Sequence, residues 1–140
     1  MPLFVAKESK GIKAAIHEIL GFFDREIDPS RGFFLKPNIV FPVSPSSGEI
    51  TRPAIVKGLI EALREKYGAV DIVIGEGTAA GTVPAENFEV SGYQGLADEL
   101  DVPLVDLDQA ERVQVSWKYG ALDLPVLALE RFYINLPILK

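Results

Sequence analysis

Ile12, Ile16, Ile19, Leu20 and Phe23 recur at helical spacing, which predicts an amphipathic helix reaching about Asp24. Leu3 to Ala6 ahead of it reads as a short strand, and Ser9 as the helix N-cap. A second apolar face, Ile55, Val56, Leu59, Ile60, Leu63 and Tyr67, predicts a helix with Pro53 in its first turn. Thr51 or Arg52 would cap it and Gly68 would stop it. Between these helices Asp28-Pro29-Ser30-Arg31-Gly32 is a turn and Phe33-Phe34-Leu35 a strand. That strand must end or lie unpaired at Pro37, which has no N–H for a ladder. The Pro- and Ser-rich stretch from Ile39 to Ile50 is a loop.

Asp71-Ile72-Val73-Ile74-Gly75-Glu76-Gly77 then carries an apolar run between a helix and a loop of small residues, the order of a parallel α/β unit. Thr78 to Pro84 is that loop, and helices follow over Ala85 to Ser91 and Tyr93 to Leu100, divided at Gly92. Val102 to Asp106 is the next strand. From Glu111 to Ser116 the pattern alternates with period two, predicting a half-exposed strand that turns at Lys118-Tyr119-Gly120 into a hairpin with Ala121 to Leu124. One helical turn over Pro125 to Glu130 and a strand over Phe132 to Leu136 complete the reading. Residues 1–140 are therefore expected to form a single α/β domain. Its architecture would be a three-layer sandwich with a mainly parallel sheet, helices on both faces and an appended β-hairpin.

Composition narrows the function classes. At 140 residues and 48% hydrophobic, the chain is one ordered domain rather than a disordered segment. A net charge of -6 with scattered Lys and Arg lacks the basic footprint of a nucleic-acid partner. Without cysteine the chain has no disulfide, zinc thiolate, iron–sulfur cluster or catalytic thiol of its own. No apolar run is long enough for a membrane helix and Met1 to Val5 is unlike a signal peptide, so a soluble cytoplasmic protein is expected. The strand-like segment from Tyr133 to Lys140 predicts that the chain is truncated at its C-terminus.

The candidate chemistry lies at the strand ends. Lys36 and Asn38, Glu76, Asp106 and Asp108, and Asn135 and Lys140 each follow an apolar strand, which predicts convergence on the carboxyl edge of the sheet, where open α/β folds bind ligands. Lys36 is a candidate catalytic and anion-binding ammonium, or a solvated strand end. Asn38 either orients a ligand or caps its own loop. Glu76, between Gly75 and Gly77, is a candidate general base or cation ligand, or a turn residue. Gly75, Gly77, Thr78 and Thr82 would let a ligand approach, although the Gly75 and Gly77 pair fits neither the dinucleotide fingerprint nor a phosphate loop. Asp106 and Asp108, two apart, would share a hard cation such as magnesium if the segment is extended; otherwise Asp108 caps a turn. His17, the only histidine, lies beside the first helical stripe and is structural or exposed. Trp117 and Tyr93 read as packing residues.

Taken in order, several pieces make a pattern: Lys36-Pro37-Asn38, Thr51-x-Pro53, Ile72-Val73-Ile74-Gly75-Glu76-Gly77, Phe88-x-x-x-Gly92-Tyr93, Val105-Asp106-Leu107-Asp108 and Ile134-Asn135-Leu136-Pro137-x-x-Lys140. With them the chain, from around Phe33 to its end, resembles the family catalogued as domain of unknown function 362. The resemblance implies a soluble prokaryotic protein, some relatives of which carry a fused ferredoxin-like cluster module. It also implies that members continue past the Asn-Leu-Pro-x-x-Lys motif into a Thr-His pair and a further half. The absence of cysteine departs from the cluster-bearing members.

Two functions remain open on this reading. One is an enzyme-type domain that binds a small anionic metabolite, with or without a divalent cation, at the carboxyl edge of the sheet. There Lys36 neutralises the anion, Asn38 orients it, and Glu76 with Asp106 or Asp108 acts as base or cation ligand. The other is a non-catalytic module that docks an electron-transfer partner, a ferredoxin-like module or the missing C-terminal half, through the hairpin and Trp117. A purely structural domain is the bland remainder.

Overall fold

The computed structural model of the chain describes residues 3–77 and 81–138. In chain order its elements are α1 (Ile12–Phe22), β1 (Phe33–Pro37), α2 (Pro53–Tyr67), β2 (Ile72–Glu76), α3 (Pro84–Val90), α4 (Tyr93–Leu100), β3 (Leu104–Asp106), β4 (Arg112–Trp117), β5 (Gly120–Pro125), α5 (Val126–Glu130) and β6 (Phe132–Leu136). The central sheet has four strands in the order β3-β2-β1-β6, and every neighbouring pair is parallel. The predicted α/β architecture and its hairpin are both present.

Chain direction explains the layers. From β1 the chain steps outward to β2 and β3, then returns past β1 to β6 on the other side. Right-handed crossovers taken in opposite lateral directions put their connections on opposite faces of a sheet. Accordingly Phe33, Leu35, Ile72 and Ile74 pack in one core with Ile16 and Leu20 of α1, Val56, Ile60 and Leu63 of α2, and Tyr93 and Leu96 of α4. Residues of the opposite parity, Phe34 and Tyr133, instead face Leu107, Leu124, Ala128 and Leu129 of the return path. All five residues of β2 are buried, so burial on both faces replaces alternation with the apolar run seen in the sequence.

α1 is not a crossover but lies on α2, and a glycine sets how closely. A Cβ on Gly58 would come within 3.1 Å of Ile12 and 3.2 Å of Ile16, so the bare backbone at this position admits the Ile12 and Ile16 side chains. Exposed ion pairs flank this contact. Glu65 of α2 meets both Lys13 and His17 of α1, the latter at 3.0 Å, which makes His17 an exposed partner in a helix-to-helix contact.

Two expectations for the N-terminal segment are overturned. Leu3 to Ala6 forms no strand: Leu3 and Val5 are 86% and 76% exposed, and an apolar run with no neighbouring strand has nothing to complete its hydrogen bonds. Phe4 instead stacks on Phe22 at 4.7 Å. Ser9 does not cap α1, because Glu8–Lys10 is a separate single 3-10 turn and Gly11, at φ 94°, is the N-cap.

The hairpin stands apart from the sheet. β4 and β5 pair antiparallel across the turn at Lys118 and Tyr119, bringing Val113 opposite Leu124 and Val115 opposite Leu122. Its base is tied down where the Arg112 guanidinium donates to the carbonyls of Leu107 (3.2 Å) and Asp123 (2.7 Å). Trp117 packs edge-on against Tyr119 near the tip and is 50% exposed, so it is less enclosed than a packing residue should be.

Candidate functional site

β1 and β2 run side by side with Leu35 opposite Ile74, so their last residues emerge together. There the Lys36 ammonium lies 2.8 Å from Glu76 Oε1 and 2.9 Å from Oε2. The same carboxylate accepts from two backbone amides, Gly77 N–H at 3.0 Å and Ile39 N–H at 3.3 Å. Glu76 is buried, and these donors satisfy both of its oxygens. It therefore joins the ends of both strands and the start of the loop after β1. Gly75, just before it, has its side-chain space already filled. A Cβ there would meet Phe34 Cε2 at 2.8 Å and Leu107 Cδ2 at 3.0 Å, so the glycine admits protein side chains. A Cβ on Gly77 would stand 3.1 Å from Asp108 Oδ1.

A second junction forms where β1 and β6 end. Asn38 N–H donates to Thr51 Oγ1 at 3.0 Å, Thr51 N–H to Asn38 O at 3.0 Å, and Asn38 Nδ2 to Glu49 O at 3.2 Å. The Thr51 hydroxyl in turn donates to Leu136 O of β6 at 2.5 Å. The buried Tyr93 hydroxyl donates to Thr51 O at 2.8 Å, which ties α4 to the same point. Burial first, and then the charge of Glu76, push the Tyr93 phenol far above its ordinary value. Since its hydroxyl serves Leu136, Thr51 does not cap α2. Arg52 is the N-cap residue and makes no side-chain cap bond.

The carboxylates of β3 stand at a turn, the second of the two arrangements the sequence allows. Asp106 is in register with Glu76 across the β2–β3 pair, so the two emerge on the same rim of the sheet. The chain then turns at once instead of staying extended: Asp106 Oδ1 accepts from Asp108 N–H at 2.9 Å. Asp106 holds this turn, and the Asp108 carboxylate comes back beside Gly77, with Oδ1 3.1 Å from where a Gly77 Cβ would stand. Among the described residues no group of three or more His, Asp or Glu is arranged to hold a metal ion.

Asn135 is in register with Lys36 on the neighbouring strand β6, and it is exposed. Thr82 accepts from Asn87 Nδ2 at 3.2 Å. Thr78 and Lys140 lie outside the described residues. The sheet thus brings Lys36, Asn38, Glu76, Asp106 and Asn135 to one edge, and Asp108, in the turn that follows, has its carboxylate beside Gly77 there. The sequence reading missed the bridging hydroxyls of Thr51 and Tyr93. The Thr51-x-Pro53 and Gly92-Tyr93 spacings marked both places, but as a cap and as packing.

Counting only its own strands, the sheet has the order 3-2-1-4, the same as the first four strands of a doubly wound sheet, with the reversal between β1 and β6. Lys36, Asn38, Thr51 and Asn135 sit around that reversal. Fold and edge together define an open parallel α/β domain with polar groups collected at the carboxyl ends of its strands. The model of the family Domain of unknown function (DUF362) matches residues 34–140, and the chain belongs to that family. No curated protein and no solved structure matches it. No described helix is long and apolar enough to cross a membrane.

Proposed function

We propose that the domain binds a small anionic metabolite at the carboxyl ends of β1, β2 and β6, as the ligand-binding part of an enzyme. The observation that carries this reading is the position of Lys36, the ammonium paired with Glu76 next to the point where strand order reverses. An incoming anion can draw the ammonium away from Glu76, because that carboxylate keeps the Gly77 and Ile39 amides. Asn135, beside Lys36, offers an amide to the same ligand, and Glu76 is then the base nearest to it. A divalent cation enters only where the anion contributes ligands of its own.

Calorimetric titration with phosphate, oxalate and citrate, each with and without magnesium, tests this. At least one anion should bind, and Lys36→Met should weaken it by about tenfold or more, the loss of one charge-assisted contact. Glu76→Gln should alter the binding while far-UV dichroism stays native. If Lys36→Met leaves the heats as they were, the reading is wrong.

The hairpin favours a second reading, a non-catalytic module that docks a protein partner. Val113, Trp117, Tyr119 and Leu122 are all more than 40% exposed on this small two-stranded element. The chain has one tryptophan, so its emission reports on that surface alone. A ferredoxin that docks there should shift the emission to the blue. Constant emission together with separate elution of the two proteins removes this alternative.

A further inference from the structure

On the second face of the sheet a cavity of about 320 Å³ lies between β1, β6 and α5, in the size range of small-ligand pockets. Phe34, Leu107, Leu124, Ala128, Leu129 and Tyr133 line it, and among the described residues Lys36 is the one charged group on its wall. The Phe34 and Tyr133 rings stack with centroids 5.3 Å apart and planes at 20°, forming a flat aromatic surface. Burial, and then the Glu76 charge, push the Tyr133 phenol above its ordinary value, so its hydroxyl keeps its proton at neutral pH.

An apolar hollow with a cation at its rim selects by both body and charge. Lys36 and Glu76 sum to zero, so a dianion would bring two uncompensated charges beside a buried carboxylate, twice what a monoanion brings, and is held more weakly. A monoanion asks only for a donor, and the ammonium has three, of which Glu76 occupies at most two at 2.8 and 2.9 Å. We infer that the cavity takes an amphipathic monocarboxylate, an aryl- or alkyl-carboxylic acid whose carboxylate meets Lys36 while its apolar body lies against Phe34, Tyr133 and Leu129. This rests on the anion site proposed above and names its ligand class.

The test titrates the whole chain with 3-phenylpropionate, with its neutral isostere 3-phenylpropanamide and with oxalate, following heat and backbone amide shifts. The acid should bind, and the amide should bind about tenfold more weakly or worse. Lys36→Met should erase that difference. Ala128→Phe fills the hollow and should abolish 3-phenylpropionate binding while the oxalate response persists; Leu129→Trp serves the same purpose if Ala128→Phe fails to fold. If oxalate binds as tightly as the aryl acid and the filling variants change neither, the ligand class is overturned while the anion site stands. If no anion binds, both fall together.

Discussion

On one face of the sheet Phe33, Leu35, Ile72 and Ile74 are each 3% exposed or less, whereas on the other Tyr133 is 42% exposed beside a cavity of about 320 Å³. The contrast belongs to the edge strand β6, where Phe132, Ile134 and Leu136 are half-buried toward the first face while Tyr133 and Asn135 are exposed on the second. Phe34 of β1 and Val73 of β2 stay buried, so the difference lies in what covers the β6 edge. The first face has α2, fifteen residues long, with α4 and α1 around it. The second has α5, five residues long, and the base of the hairpin. At about 1.5 Å per residue α5 spans roughly 7 Å, while four strands about 4.8 Å apart span roughly 14 Å. A helix so short leaves part of the face open. Burial on the first face stabilises the fold, and the second face keeps room next to Lys36.

The largest expected effect separates the two faces outright. Ile74→Ala, at a fully buried site, should cost about 2–5 kcal/mol in urea denaturation. Leu129→Ala, at a site 42% exposed, should cost under about 1.5 kcal/mol, and equal losses would end the distinction. Next in size is Gly75→Ala. Its Cβ would press on Phe34 and Leu107, where the second face is tightly closed, and about 1–3 kcal/mol should be lost. The Phe34–Tyr133 stack should move as well, visible in near-UV dichroism.

Tyr93→Phe should cost about 1–2 kcal/mol, since it leaves the Thr51 carbonyl without its donor. It also carries a pH signature. Because burial raises the folded-state value of Tyr93 above its ordinary 10.0, its contribution is complete below about pH 10 and declines as pH rises further. Wild type should therefore lose stability on the alkaline side more steeply than Tyr93→Phe; parallel curves would falsify the burial of this hydroxyl. The smallest effect belongs to the surface. Lys66 holds the Asp24 carboxyl below its ordinary 3.8, chiefly through a hydrogen bond, so this pair stabilises above that pH and fades as pH falls through the lowered value. Lys66→Ala should soften the acid limb slightly and leave the neutral-pH midpoint almost in place.

How much of this was legible follows from what periodicity encodes. The apolar runs at Phe33, Ile72 and Phe132 and the stripes of α1 and α2 are local records of burial, and their bounds came out within a residue or two. The hairpin was legible for the same reason, since alternation and a short turn are local. Leu3 to Ala6 has the same apolar content but no partner strand, and pairing is not a local property. The Lys36–Glu76 pair was foreseeable as two strand ends on one rim of a parallel sheet. What Thr51 does was not: its hydroxyl bonds a carbonyl 85 positions away, and no spacing within its own helix start records that. Asp106 and Asp108 were read with two alternatives, an extended pair or a turn, and the strand stops at Asp106 and turns, which composition leaves open.

The reciprocal bonds between Asn38 and Thr51 have a last consequence. They knot the chain at the neck of the segment that follows β1, with Ile39 and Ile50, each 1% exposed, seated just inside the knot. Everything between those two isoleucines is a cassette. Doubling its length should cost only about 0.6 kcal/mol in closure entropy, because the neck, and not the loop, transmits force to the strands.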